Sequence, residues 1–339
     1  MIKISDPLNL LPEIYENFDS FQLSAQSPDI EILHAQWPRP TPSKVPTIFV
    51  NREPDSHSAS SIYQTQIIAR PSHLFAITAW SDRTPFPLPW FKFLSTMLIT
   101  GRVNKGIPAV TVEQKPFSAT ALWGGHMHNR SIMFDRLLKL GLLDKCLINL
   151  HPRLQENFLF GPTYQSSAIQ ELDDERFLKH AYTNGKIYTM VSINNEPRHW
   201  LSQIIPYRLY NSAYIDLVSE TEQMSDPTTF VMTEKICKPL LLGQIFLVYG
   251  CRHFLRHLRD IGFRTYSQWL DESYDDIVDS NKRCCAIIDS FSQFDAKTHD
   301  EKIKILADAQ EVSLHNRQLA TNNAWLLDPF VKHIRNLVQ

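Results

Sequence analysis

The chain has 339 residues, 43% of them hydrophobic and 21% charged, with a formal net charge of −2. That balance excludes a disordered or fibrous chain and the electrostatic footprint of non-specific nucleic-acid binding, although a local basic patch could still face a phosphate-bearing ligand. The N-terminal run MIKISDPLNLLPEIYENF lacks the pattern of a secretory leader, and no window reaches about 18 uninterrupted apolar residues, so a cytoplasmic protein without a membrane span is expected.

The length favours two domains of roughly 150 residues each, and two packed domains leave a cleft between them. Residues 27–89 are rich in Pro, Ser and His, with the short apolar runs TIFV (47–50) and HLFAITAW (73–80) predicted as strands of a loop-rich α/β unit. PWFKFLSTMLI (89–99) is predicted as a helix, with Pro89 in the first turn and Trp90, Phe93, Leu94 and Leu98 near helical spacing. The stretch 115–150 then carries a strand at 117–122, the Gly124-Gly125 loop, and a helix with Ile132, Leu137, Leu138 and Leu140 on its apolar face. IYTMVSI (187–193), the helix-like HWLSQIIPYRLYNSA (199–213) and YIDLVSE (214–220) suggest a second βαβ unit. TEKICKPLLLG (233–243) and QIFLVYG (244–250) suggest a helix and a buried parallel strand. Alternation of this kind implies an α/β, doubly wound sheet. RHFLRHLRDIGF (252–263) is predicted as an amphipathic helix closed by Gly262 at C′, and 272–294 as another helix, begun by the acidic DESYDDIVD with Tyr274 packed inward. From Asp300 the chain is predicted mostly helical, ending in an apolar stripe of Trp325, Leu326, Phe330, Val331 and Ile334. The five cysteines show no C-x-x-C spacing and suit reduced thiols packed in the core.

The most informative residues lie in 214–276, where a strand ends at Glu220, Thr233-Glu234-Lys235 follows, Lys238 comes three residues later, and the next strand ends at Gly250. In open α/β sheets ligands bind beyond the carboxyl ends of strands, and a helix N-terminus there offers N–H groups and a positive dipole to a diphosphate. A carboxylate can accept from two ribose hydroxyls, and lysine offers a compact charge to phosphate oxygens. Glu234 and Lys235 could therefore hold both halves of a sugar nucleotide. The alternative is an exposed helix start that Thr233 caps and whose dipole Glu234 complements.

The run ETEQMSDPTTFVMTEKICKPLLLGQIFLVYG (220–250) resembles the donor-binding segment of α1,3-fucosyltransferase-like GT-B glycosyltransferases, in which a strand-end Glu, a Thr-Glu-Lys turn, a helix and a Gly-ended strand follow in order. LWGGHMHNRSIMFDRLLKLGLL (122–143) and LRDIGFRTYSQWLDESYDDI (258–277) resemble segments of bacterial and phage glycosyltransferase-like proteins, so the likeness spans roughly residues 116–290. The resemblance implies a GT-B fold of two Rossmann-like domains facing a cleft: an acceptor-side domain over 1–115, a nucleotide-sugar domain over 116–310, and a terminal helix over 311–339 crossing back to the first. It also implies an inverting, metal-independent fucosyltransferase-like hexosyltransferase moving sugar from a nucleotide-diphosphate donor, of GDP or UDP type, to a hydroxyl of a glycan such as a bacterial polysaccharide. On the same grounds Glu220 and Glu234 would contact the nucleoside, Thr233 would open the binding turn, and Arg130 and Lys235 would stabilise the departing diphosphate, a task cations can perform without a metal; Lys238 is a further cation for it, and a helix-surface arginine is the alternative for Arg130. Glu220-Thr221-Glu222 replaces the family's Glu-Asn-Ser, and Lys238-Pro239 departs from its pattern, which leaves sugar and base open.

Inversion requires a base to take the acceptor's proton. Glu53, after the TIFVN run, is the candidate, with Asp55 and His57 as substitutes and a plain loop carboxylate in NREPDSH as the alternative. There is no Asp-x-Asp; the pairs His126/His128 and His253/His257 lack a third ligand, so no metal is expected. G-x-G-x-x-G, G-x-S-x-G and a Walker loop are absent, which removes the primary signals for NAD binding, hydrolase and P-loop chemistry. Trp90, Arg102 and Lys105 could approach a lipid-linked acceptor. The rival functions are a non-catalytic GT-B-like nucleotide-binding or scaffold subunit of a polysaccharide-assembly system, and another sugar-nucleotide enzyme on the same fold.

Overall fold

The computed structural model describes residues 100, 104, 106–124, 128–150, 205–220 and 232–322, together with short strands at 2–5, 21–23, 30–34, 47–50, 74–77, 190–191 and 199–200. The chain divides into two compact units, Met1–Leu98 with Thr228–Val231 and Asn322–Gln339, and Ile99–Pro227 with Met232–Thr321. In the first, strands β1 (Ile2–Ser5), β2 (Phe21–Leu23), β3 (Ile30–His34), β4 (Thr47–Val50) and β5 (Leu74–Ile77) pair in parallel in the order β2-β1-β3-β4-β5. The TIFV run is β4, and HLFAITAW supplies β5.

In the second unit β6 (Phe117–Gly124) leads to α1 (His128–Lys139) and β7 (Cys146–Leu150). After the short antiparallel pair β8 (Met190–Val191) and β9 (His199–Trp200) come α2 (Tyr207–Asn211), β10 (Ala213–Ser219), α3 (Glu234–Leu242) and β11 (Ile245–Tyr249). Helices α4 (Phe254–Asp260), α5 (Ser280–Asp295), α6 (His299–Asp308) and α7 (Gln310–Thr321) complete the described part. The sheet is parallel throughout, in the order β11-β10-β6-β7. Numbered from β6, this is the 2-1-3-4 order of a Rossmann-like α/β unit. Every position of β10 and β11 is buried, as a parallel strand covered on both faces requires. Right-handed crossovers running outward in opposite directions from β6 and β10 put α1 and α3 on opposite faces. Consistently, α5 packs on α1 and α7 on α3.

Local chemistry sets the ends of α3. Thr233 caps its start, its side chain accepting from the Lys235 N–H. Gly243 ends it at φ 65°, where Gly243 donates to Leu240 O at 3.3 Å and Gln244 to Pro239 O at 2.9 Å, and a Cβ would lie 3.1 Å from Ser313 O. Gly262, at φ 96°, follows the C-cap of α4 as the sequence predicts.

Two expected helices are shorter than their patterns. Among the described residues of 199–213, Tyr207–Asn211 is helical, with Pro206 opening α2 as its N-cap, while His199–Trp200 pairs as a strand. DESYDDIVD does not start α5. It forms the 3₁₀ turn Ser273–Asp276, and α5 begins after Asp279, whose side chain accepts from the Lys282 N–H at 2.8 Å. The Asp275 carboxylate is spent on the Leu255 and Arg256 N–H groups at 2.9 and 3.0 Å, capping α4. Tyr274 is buried as expected, its hydroxyl accepting from Val248 N. The helix expected over 89–99 and the stripe from Trp325 onward lie outside the described residues.

Among the described residues no helix is long and apolar enough to cross a membrane. Each of the five cysteines is a free thiol, buried except for the half-buried Cys285.

Candidate functional site

The chain leaves β6 toward β7 on one side and β10 toward β11 on the other, so the sheet's switch point lies at the carboxyl ends of β6 and β10. The helices that open there are α1 and α3. Arg130, in the first turn of α1 and only 3% exposed, donates from Nε to Ser219 Oγ (3.2 Å) and from Nη2 to Ser219 O (3.0 Å). The neighbouring Asn129 donates to the same Ser219 hydroxyl at 2.7 Å. The first turn of α1 is thus fastened to the last residue of β10.

Glu220, the next residue, is fully buried. Its Oε1 accepts from the backbone N–H of Thr233 (3.1 Å) and of Ile236 (3.2 Å), and Oε2 accepts from the Thr233 hydroxyl. Lys235 N in turn donates to Thr233 Oγ1 at 3.3 Å. The N–H groups of Thr233, Lys235 and Ile236 are therefore held by the chain's own oxygens, so a phosphate at this end of α3 would rely mainly on side chains. Burial pushes the Glu220 carboxyl up from its ordinary range despite the Lys235 ammonium and the bonds from Thr233.

Glu234 and Lys235 reach solvent, with 22% and 23% of their side chains exposed, and Lys235 Nζ lies 2.8 Å from Glu234 Oε1 and 3.2 Å from Thr233 Oγ1. Burial opposes ionisation of Glu234, but the charges of Lys235 and Lys238 outweigh it and hold the carboxyl below its usual value. One turn further, Lys238 is 8% exposed; burial pushes its ammonium down to about 8, against the attraction of Glu234 and Asp216. Asp216, buried in β10, accepts from the Thr120 hydroxyl of β6 at 2.7 Å, and burial pushes it up to about 7. Chemically the set offers cations for an oxyanion, one solvent-reaching carboxylate for hydroxyls, and a buried acid that titrates near neutrality.

Of the residues singled out in sequence, Arg130 is tied to the end of β10, and Glu220, Thr233, Glu234, Lys235 and Lys238 gather at the first turns of α3. Glu53, with Asp55 and His57, lies outside the described residues, as do His126, Trp90, Arg102 and Lys105. Asn129, Ser219, Thr120 and Asp216 belong to the same neighbourhood without having been singled out. Asp216 had a signal, since it is the one charge inside the apolar run YIDLV; Thr120 becomes its partner only through the β6–β10 register. His253 Nδ1 is 3.1 Å from Asp276, His257 Nδ1 is 3.9 Å from Asp260, and among the described residues no group of three His, Cys, Asp or Glu could hold a metal ion. Comparison with protein-family models, with characterised proteins and with solved structures gives no match to this chain.

Proposed function

We propose that the chain is a glycosyltransferase of the GT-B type, inverting and metal-independent, that moves a sugar from a nucleotide-diphosphate donor of GDP or UDP type to a hydroxyl of a glycan. The observation that carries this reading is that both helices opening at the switch point of a Rossmann-like sheet bring charged side chains to it: Arg130 on α1, and Glu234, Lys235 and Lys238 on α3. Departure of a nucleoside diphosphate builds negative charge that these cations would offset, and Glu234 would accept from ribose hydroxyls. Glu220 would act on the nucleoside through the turn it holds, and Glu53 would be the base.

A second reading, a non-catalytic nucleotide-binding or scaffold subunit, is favoured by one feature. The Glu220 carboxylate takes the Thr233 and Ile236 N–H groups, two donors on which a phosphate at a helix N-terminus usually relies.

The deciding measurement is a thermal-shift panel of GDP, UDP, CMP and dTDP on the wild type and on Lys235→Ala, followed by product analysis with the sugar nucleotide of whichever base binds. A shift with one nucleotide that disappears in the variant, together with sugar transfer, is the expected result. Binding without turnover would select the nucleotide-binding subunit, and no shift with any nucleotide would remove the transferase and leave the binding-free scaffold.

A further inference from the structure

Two of the three cations at this site are already engaged. Arg130 is bonded to Ser219, and Lys235 to Glu234 and Thr233. Lys238 is different: more than nine-tenths buried, it makes no hydrogen bond or ion pair with any described residue. A desolvated ammonium without a bonded counterion is costly, and a protein usually relieves that cost by pairing or by losing the proton.

Lys238 lies four residues after Glu234 on the nine-residue α3, so the two share a helix face, and helical Cα–Cβ bonds start the side chain toward the N-terminus, where Glu234 is the leading charge acting on the ammonium. The charged or titratable groups acting on it are Glu234, Lys235 and Cys237 on its own helix and Asp216 from β10, and Asp216 also acts on Tyr210 of α2. The nearby carboxylates are each committed elsewhere: Glu220 to the backbone of α3, Glu234 to Lys235, and Asp216 to Thr120.

We infer that Lys238 is the group that receives a phosphate-class oxyanion of the ligand at the start of α3, and that the buried Lys238 and Asp216 together take up a proton when that anion binds. The ligand class rests on the proposed donor site; the anion-receiving role of Lys238 rests on its burial and lack of a partner. The anion supplies the missing counterion, which favours the charged ammonium. It also disfavours ionisation of Asp216, so both groups shift in the direction of proton uptake. Lys235, already neutralised by Glu234, contributes less.

Isothermal titration of the full chain with GDP, UDP and inorganic pyrophosphate, in buffers of different ionisation enthalpy and across the pH range around 8, tests this. The expected result is net proton uptake, with affinity weakening as pH rises through about 8 by up to about tenfold per pH unit, the limit for one linked proton. Lys238→Met should lose about tenfold or more in affinity together with most of the proton uptake. A nucleotide that binds without proton uptake, or equally well to Lys238→Met, overturns the inference and leaves the donor site standing. Uptake with pyrophosphate alone sustains the inference and removes the donor reading, and no binding by any probe removes both. The proton count is read on the wild type, so it stands even where the variant fails to fold.

Discussion

Glu220 holds Thr233 twice, its carboxylate accepting both the backbone N–H at 3.1 Å and the hydroxyl of the residue that caps α3. A strand-end carboxylate thereby takes the position that a bound anion occupies at many helix starts, and it fixes α3 before any ligand arrives. Glu220→Ala strands these donors and the Ile236 N–H in a buried setting, so a loss of about 2–4 kcal/mol is expected. Glu220→Gln keeps an acceptor oxygen and should lose clearly less. Urea unfolding of the three proteins is the check, and equal midpoints would show that the bonds contribute nothing.

Asp216 gives the stability a specific pH signature. Its folded value, raised to about 7, lies above the ordinary carboxyl value of 3.8, so its contribution is fully present below about 4 and is lost as pH rises through 7. Lys238, lowered to about 8 from 10.5, contributes in the other direction, its stability present only above about 10 and lost as pH falls through 8. The pair therefore lowers stability most between about 7 and 8. Asp216→Asn retains an acceptor for Thr120 but cannot ionise; the difference in unfolding free energy between variant and wild type should grow in the variant's favour from pH 5 to pH 8, by an amount of order a few kcal/mol. A difference that stays constant over that range would refute the assignment.

Gly250 closes β11 against α4. A Cβ placed there would lie 2.3 Å from Phe254 Cδ2, so Gly250→Ala must displace the ring at the start of the helix and should cost about 1–3 kcal/mol. Combining it with Phe254→Leu, which removes the ring edge, should cost less than the sum of the two single changes. Strict additivity of the unfolding free energies would mean that the two residues do not meet.

Arg130 separates fold from chemistry. Its guanidinium uses two nitrogens on Ser219, a geometry that lysine cannot reproduce, so Arg130→Lys should be destabilised by about 1–3 kcal/mol while keeping the charge. In the proposed transfer the same variant should lose at least about a hundredfold in kcat under conditions where it remains folded, with a smaller change in KM. Stability loss with unaltered kcat would confine Arg130 to holding α1 on β10.

The periodicity of this chain determined its α/β character, the position and capping of α3, the buried strands β10 and β11, and the clustering of Thr233, Glu234, Lys235 and Lys238, because each depends on residues near one another along the chain. The short, β-branched and aromatic apolar runs AYIDLVS and IFLVY favour buried strands, and Thr233 before a helical pattern that ends at Gly243 marks both ends of α3. Helical spacing alone overreached where Pro206 and Asp279 reset the start of a helix. Only the tertiary structure decided how the polar groups are spent. Sheet register brings Thr120 to Asp216, the switch point brings Arg130 to Ser219, and the end of β10 brings Glu220 to the N–H groups of α3. These partners lie from 13 to 96 residues apart. A buried polar group must find its hydrogen bond wherever the fold delivers one, so its identity can be read in the sequence but its partner cannot.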